Sequence, residues 1–282
     1  MLNKIAIIAG SGRLPIDVAL YLNKIKVNFI VLKIKNFAVS EEYKKFNSYS
    51  LRMGQGYKAI QILKENKIKK IIFLGALKRP TLIDLKPDFW TLIKVFKFIF
   101  FKKTDDVILR NVVSIFENEG FKVIGLSKIT KKFFLKKGVY GIRKIPKKDR
   151  ILIDKMIIET IKWTKKDLGQ CVITSKNKII LKENRRGTNN LLMRLHKINN
   201  KNSYLFIKIK KLHQDNRVDL PTIGINTIKN LVKTSIKYIV LNANYTIVFD
   251  KKKIFNYLKQ HNKILISVDI VKNNNKKYEI KI

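Results

Sequence analysis

An uninterrupted apolar run, Ile5-Ala6-Ile7-Ile8-Ala9, stops at Gly10-Ser11-Gly12 and gives way to a helical pattern behind Pro15, with Val18, Ala19 and Leu22 on one face. A strand with one wet face would alternate apolar and polar residues. This one does not, and a strand covered on both faces belongs to a parallel sheet flanked by helices. The unit then returns. Residues 29–32 form a second apolar run, 58–65 a helix after Gly54-Gln55-Gly56, 71–75 a third strand, 88–101 and 105–119 two helices, and 121–125 a closing strand. Strand–helix alternation at this spacing predicts an α/β fold built on a doubly wound, Rossmann-like parallel sheet.

The second half reads differently. A helical stripe over 149–165 carries apolar residues at 152, 153, 156, 157 and 161. A hairpin of 170–175 with 178–182 follows, then a helix over 188–197 and strands at 204–209 and near 238–242, 245–249 and 264–268. This pattern predicts a mixed α/β domain. Between the halves lies a Lys-rich stretch with Gly138, Gly141 and Pro146, so the expected division is 1–130, a linker at 131–148, and 149–282. Residues 273–277 read as a frayed tail.

Sixty-one Lys and Arg against 20 Asp and Glu leave a net charge of +41, while 46% of the residues are apolar. That apolar share excludes a disordered basic tail. The charge points to polyanions, whether nucleic acid, anionic membrane or phosphorylated substrate. Abundant Lys, Asn and Ile with little Ala and Gly is also what an AT-rich genome writes. The lone Cys171 excludes a disulfide framework and a thiolate metal cluster, and its apolar neighbours predict a buried thiol. The chain opens without a signal-peptide pattern, and the apolar stretch 89–101 is broken by Lys94 and Lys97. The expected location is therefore the cytoplasm.

Several strings have the residue types that chemistry needs. Gly10-Ser11-Gly12 is a strand–helix turn that suits either a phosphate at a helix N-terminus or a tight turn with no ligand. It is not a dinucleotide fingerprint, because Pro15 fills the third glycine position and Lys33 and Lys35 stand where a ribose-binding acid belongs. Arg79, in Gly75-Ala76-Leu77-Lys78-Arg79-Pro80, suits a diphosphate fork or a solvated charge. Asp105 and Asp106 suit a helix N-terminus or Mg²⁺. The helix at 89–101 suits a headgroup boundary, an acyl-chain site or a protein core. Thr188 reads as a helix cap near Glu183. Gln214-Asp215-Asn216-Arg217-Val218-Asp219-Leu220-Pro221-Thr222-Ile223-Gly224 is loop-like: Asp219 can bind metal or position water, and Arg217 can clamp phosphate or pair with Asp215. The histidines at 196, 213 and 261 show no ligand spacing, with 213 of interest only for its neighbours.

Together these strings resemble the UDP-2,3-diacylglucosamine pyrophosphatases of lipid A biosynthesis, the LpxI family, over nearly the whole length. Residues 8–15 are similar to the family's opening turn, Gly75 to Pro80 to its G-x-x-x-R-P, residues 105–110 to its G-D-D-x-L-L-R block, and Gly169-Gln170 to the start of its C-terminal hairpin. The most specific match is Arg217-Val218-Asp219-Leu220-Pro221-Thr222-Ile223-Gly224, uninterrupted against R-V-D-L-P-T-I-G.

The resemblance implies a Rossmann-like N-terminal domain and a C-terminal domain of unusual topology. It implies Mg²⁺- or Mn²⁺-dependent hydrolysis of UDP-2,3-diacylglucosamine to UMP and lipid X, with Asp219 and Arg217 catalytic. Expected substrate contacts are Gly10, Ser11, Gly12, Arg79, Gln170, Thr188, Lys208, Gln214 and Thr222, and expected metal ligands Asp219, Glu183, Asp105 and Asp106. The partners expected are a UDP-sugar lipid and, transiently, the inner face of the inner membrane, with no nucleic acid; a homodimer is compatible with the sequence. The helix at 89–101 is the expected acyl slot. Arg186 and Asn189 replace a Glu and an Asp of the family's E-x-x-E-G-T-D-x-M-L, and Thr104 a Gly before the Asp pair. Two alternatives stay open: a basic nucleic-acid-binding protein, and a lipid-binding family member without turnover.

Overall fold

The computed structural model describes residues 4–77, 85–99, 105–141, 144–165, 169–184, 186–198, 204–211, 214–273 and 278–282, without the side chains of 95–99, 105 and 106. The chain divides into two units. The first comprises Met1–Ile129 with Asp215–Asp219, the second Thr130–Gln214 with Leu220–Ile282.

The first unit is a five-stranded parallel sheet of β1 (Ile5–Ala9), β2 (Phe29–Ile34), β3 (Ser48–Leu51), β4 (Lys70–Leu74) and β5 (Lys122–Val123), in the order β3-β2-β1-β4-β5. The order reverses between β1 and β4, which makes that point the topological switch of an open α/β sheet. All five residues of β1 are buried, as a central strand covered on both faces requires. Ala6, Ile8, Ile30, Leu32 and Ile71 share a core with Ile60 and Leu63 of the helix Gly56–Glu65, and with Val113 of the helix Asp105–Asn118. The helix Leu14–Lys24 buries Val18, Ala19 and Leu22. The parallel sheet is as expected; β3 was not, because its four residues are mostly half-exposed and carry no apolar run.

In the second unit a larger mixed sheet follows the order β14 (Tyr278–Lys281), β13 (Ile264–Lys272), β11 (Tyr238–Asn242), β9 (Leu205–Lys208), β7 (Cys171–Ser175), β8 (Lys178–Lys182). β9, β11 and β13 run parallel, while β7, β8 and β14 join antiparallel. Side chains alternate between two cores with the period of the pleat. Leu205 and Ile207 face Ile153, Met156, Ile157 and Ile161 of the helix Lys147–Thr164. Phe206 faces the other way, toward the helices Gly187–Lys197, Ile225–Val232 and Lys251–Gln260. A short parallel pair, β10 (Thr222–Ile223) with β12 (Ile247–Val248), completes this unit.

The stretch expected as a linker, 131–148, folds onto the second unit. β6 (Gly138–Tyr140) pairs with β13, Phe134 bridges Ile247, and Phe133, Phe134 and Leu135 are buried. Lysines before a strand of only three residues, Gly138-Val139-Tyr140, hid this edge strand from the sequence pattern. Most of the expected tail, 274–277, lies outside the described residues, and beyond it β14 pairs with β13.

Candidate functional site

At the switch point of the first unit the two loops that leave β1 and β4 are closed on each other. Ser11 N–H and Oγ both donate to the Ala76 carbonyl, at 2.9 and 2.8 Å, and Ala76 N–H donates back to the Ser11 carbonyl at 3.0 Å. A Cβ on Gly10 would lie 2.7 Å from the Ala76 carbonyl oxygen, so only glycine allows this approach. Ser11 therefore spends on Ala76 the amide and hydroxyl that a phosphate cradle would use. The helix beginning at Leu14 already has acid at its start: Asp17 takes the Arg13 guanidinium at 2.9 Å, and Glu42 pairs with the same group. Gly12 has φ +96° with open space around it. Arg79 lies outside the described residues, as do the side chains of Asp105 and Asp106.

The string 217–224 divides at Asp219, with Arg217, Val218 and Asp219 in the first unit and Leu220 onward in the second. Asp215 organises the turn. Its Oδ1 accepts the Arg217 N–H at 2.9 Å, and its carbonyl accepts the N–H groups of Val218 and Asp219 at 3.2 and 3.0 Å. The Arg217 guanidinium forks onto the Asp215 carboxylate at 2.8 to 3.1 Å and reaches Glu117 at 2.7 Å. Val218 packs against the core of this unit, and Asn216 and Arg217 lie so close to Gly125 that a Cβ there would be 3.1 Å from the Asn216 carbonyl oxygen. Burial pushes the Asp215 carboxyl up, but hydrogen bonds from Arg217 outweigh it and hold the group below its ordinary range. Arg217 is thus a fastening for the turn that carries Asp219, with its donors turned to carboxylates.

The second unit gathers four of the remaining candidates, Gln170, Glu183, Thr188 and Lys208, at one end of its sheet. Cys171 pairs with Lys208 and Val172 with Lys182, so Gln170, Glu183 and Lys208 stand side by side where β7 begins and β8 and β9 end. The helix Gly187–Lys197 starts there, and Thr188 lies within its first turn instead of capping it. Glu183 receives Gln170 N–H on one carboxylate oxygen at 2.8 Å and the Thr188 hydroxyl on the other at 2.7 Å. Lys208 Nζ donates to that hydroxyl at 2.8 Å. The Lys208–Thr188–Glu183 chain fixes the direction of every proton in it, and it lets a lysine only 8% exposed sit within the fold.

Gln170 Oε1, Asn190 Oδ1 and the Nε2 of Gln214, a residue 7% exposed, are buried without a hydrogen-bond partner among the described residues. Gln214 Oε1 accepts Lys211 N–H at 2.9 Å. Orphaned donors and acceptors of this kind are costly unless a ligand or water answers them. Cys171 is buried, as expected, and burial, with Glu183 adding to it, raises its thiol well above the ordinary pKa. Thr222 is exposed, its hydroxyl bound to the Leu220 carbonyl at 3.2 Å. Sequence reasoning missed half-buried Lys210, whose ammonium lies 3.9 Å from the Tyr245 ring centroid and whose pKa burial lowers.

Among the described residues no group of three or more His, Cys, Asp or Glu is arranged to hold a metal ion. Both oxygens of Glu183 are engaged by protein donors, with an ammonium one hydroxyl away, which suits anion binding better than a cation. The described side chains alone therefore do not fit a complete Mg²⁺ or Mn²⁺ site.

Comparison with known proteins assigns both halves. Residues 4–133 match the LpxI N-terminal domain and residues 136–267 the LpxI C-terminal domain. The chain is also similar to the UDP-2,3-diacylglucosamine pyrophosphatase LpxI of Caulobacter vibrioides, at 26% identity over 262 residues, covering 90% of this chain and 93% of that protein.

Proposed function

The chain belongs to the LpxI family, and on that premise we propose that it hydrolyses the diphosphate of UDP-2,3-diacylglucosamine in lipid A biosynthesis, releasing UMP and lipid X. The observation that carries the reading is the pair of domain matches, which run through almost the whole chain together with the Caulobacter relative.

Diphosphate cleavage needs a water brought to phosphorus past negative oxygens, and fixed cations for the charge that shifts to the leaving phosphate. Asp219, on a turn fastened by Asp215 and Arg217, is the proposed carboxylate that orients this water. Within the second unit, Lys208, held by Thr188 beside a helix N-terminus, is a candidate cation for an anionic ligand, and the unsatisfied amides of Gln170 and Gln214 are candidate polar contacts. A divalent cation is part of the proposal. When bound it would neutralise diphosphate charge, with Asp219 and the Asp105-Asp106 pair as candidate ligands.

The test is UMP release from dispersed UDP-2,3-diacylglucosamine. Turnover is expected with Mg²⁺ or Mn²⁺ and not after chelation, and Asp219→Ala should lower it by about a hundredfold or more at unchanged circular dichroism. Absence of UMP with either metal would sink the hydrolase. Retention of the lipid without turnover would instead favour a binding-only member, a reading motivated by Arg186 and Asn189 at the positions of two family acids.

A further inference from the structure

The helix Phe89–Ile99 has two unlike faces. Its inner side is fixed to the first unit. Trp90 joins the core, Thr91 is 5% exposed and accepts the Gly56 N–H at 2.8 Å, and Asp88 accepts the N–H groups of Thr91 and Tyr57 at 2.8 and 3.1 Å. Lys94 reaches back over the Trp90 ring, 5.5 Å from its centroid, toward Glu119 at 3.6 Å. The outer side is apolar and wet. Phe89 is 79% exposed, Ile93 59% and Leu92 37%, one turn apart on one face, and Tyr57 stands beside Trp90, 49% exposed. Among the described residues these side chains are open to solvent.

A helix anchored this firmly on one side does not expose Phe89 and Ile93 through fraying. Such a face lowers its free energy when something apolar covers it. The charge of the segment that carries it narrows the cover. Residues 89–103 contain Lys94, Lys97, Lys102 and Lys103 and no acid, in a chain of net charge +41. A partner for this face has three bare apolar side chains to cover in a segment whose sequence carries lysine and no acid. The boundary of an anionic bilayer answers both, with acyl chains for the apolar stripe, headgroup phosphates for the lysines, and an interfacial position for an amphipathic ring such as Tyr57.

We propose that the outer face of this helix, through Phe89, Leu92 and Ile93, docks the first unit onto an anionic lipid surface. At eleven residues the helix is too short to span a bilayer and lies in its plane. The docking stands on the surface alone and does not rest on the hydrolase reading.

Vesicle cosedimentation of the full chain tests it, using phosphatidylglycerol-containing and pure phosphatidylcholine vesicles. Binding is expected to the anionic vesicles and to weaken with salt. In the double variant Phe89→Ser/Ile93→Ser, apparent affinity should fall by about tenfold or more, as two large apolar side chains leave the boundary. Met193→Ser, which removes a 56%-exposed apolar residue in the second unit, should bind as wild type. So should Asp219→Ala, which separates docking from catalysis. Failure of wild type to bind anionic vesicles, or equal binding by the double variant at wild-type melting temperature, overturns the proposal. So does a double variant that alters only oligomer size in light scattering, which would assign the face to a second copy. Missing UMP release would sink the hydrolase reading and leave the vesicle result standing.

Discussion

Asp149 shows how much one side chain can hold. It opens the helix Lys147–Thr164, its side chain is 7% exposed, and its Oδ2 accepts from Lys237 at 2.8 Å and from the Tyr238 hydroxyl. Burial alone would raise its pKa, but hydrogen bonds from Lys237, Tyr204 and Tyr238 outweigh it and hold the carboxyl at about 2, against 3.8 for a free one. Both tyrosines are pushed upward, by burial first and then by the carboxylate. Because the folded value is the lower one, the stabilisation is complete above the unfolded pKa and is lost as pH falls through the folded one. A depression of nearly two units corresponds to about 2 kcal/mol. Urea midpoints of the wild type should therefore hold from neutral pH to about 5 and fall between about 4 and 2. Asp149→Asn should begin about 2 kcal/mol lower and show a shallower acid slope, and parallel slopes would refute the assignment. None of this is legible in the sequence, where Asp149 is one acid in a helical stripe and its partners lie 88 and 89 positions away.

At the scale of elements, the loops after β1 and β4 act as one piece. Gly75 has φ +88°, and a Cβ there would lie 2.5 Å from the Ser11 carbonyl oxygen, so Gly75→Ala meets both backbone strain and a clash with an immovable atom. Gly12→Ala meets strain only, because its φ is +96° but nothing lies within 4 Å. Thermal unfolding should find Gly12→Ala costing about 1 kcal/mol and Gly75→Ala at least about twice that. Equal costs would mean the loops part easily. The glycines were visible in the sequence, as was their place at a strand end, but the segment that Ser11 closes upon is 65 residues away. A ligand cradle and a loop closure leave the same local trace. The string 217–224 behaves likewise. Its specificity was plain, and pairing of Arg217 with Asp215 could be weighed from two residues' separation, but Glu117 lies 100 positions distant and only the fold brings it in. What the sequence made legible were long apolar strands and their alternation with helices; short edge strands such as β3 and β6, held by backbone pairing instead of side-chain pattern, left no periodic signal.

Over the whole molecule the +41 charge is a load on the fold. With three times as many cations as anions, most lysines face like charge, and self-repulsion favours an expanded chain. Salt should relieve it. The screening length contracts from about 30 Å at 0.01 M to about 8 Å at physiological ionic strength, so repulsion between lysines on neighbouring elements fades. Among the described residues many ion pairs are exposed and weak, and the carboxylates of the two that matter most, Asp215 with Arg217 and Asp149 with Lys237, are largely shielded. Melting temperature should therefore rise by several degrees as NaCl goes from about 0.01 to 0.3 M, a direction opposite to that of a fold held by surface ion pairs. Anionic-vesicle binding should fall over the same range, since its electrostatic part is screened while the apolar stripe is untouched. Stability and docking thus respond to one variable with opposite signs. If both instead fell together, the charge would be serving structure through pairings of its own, and the self-repulsion account would fail.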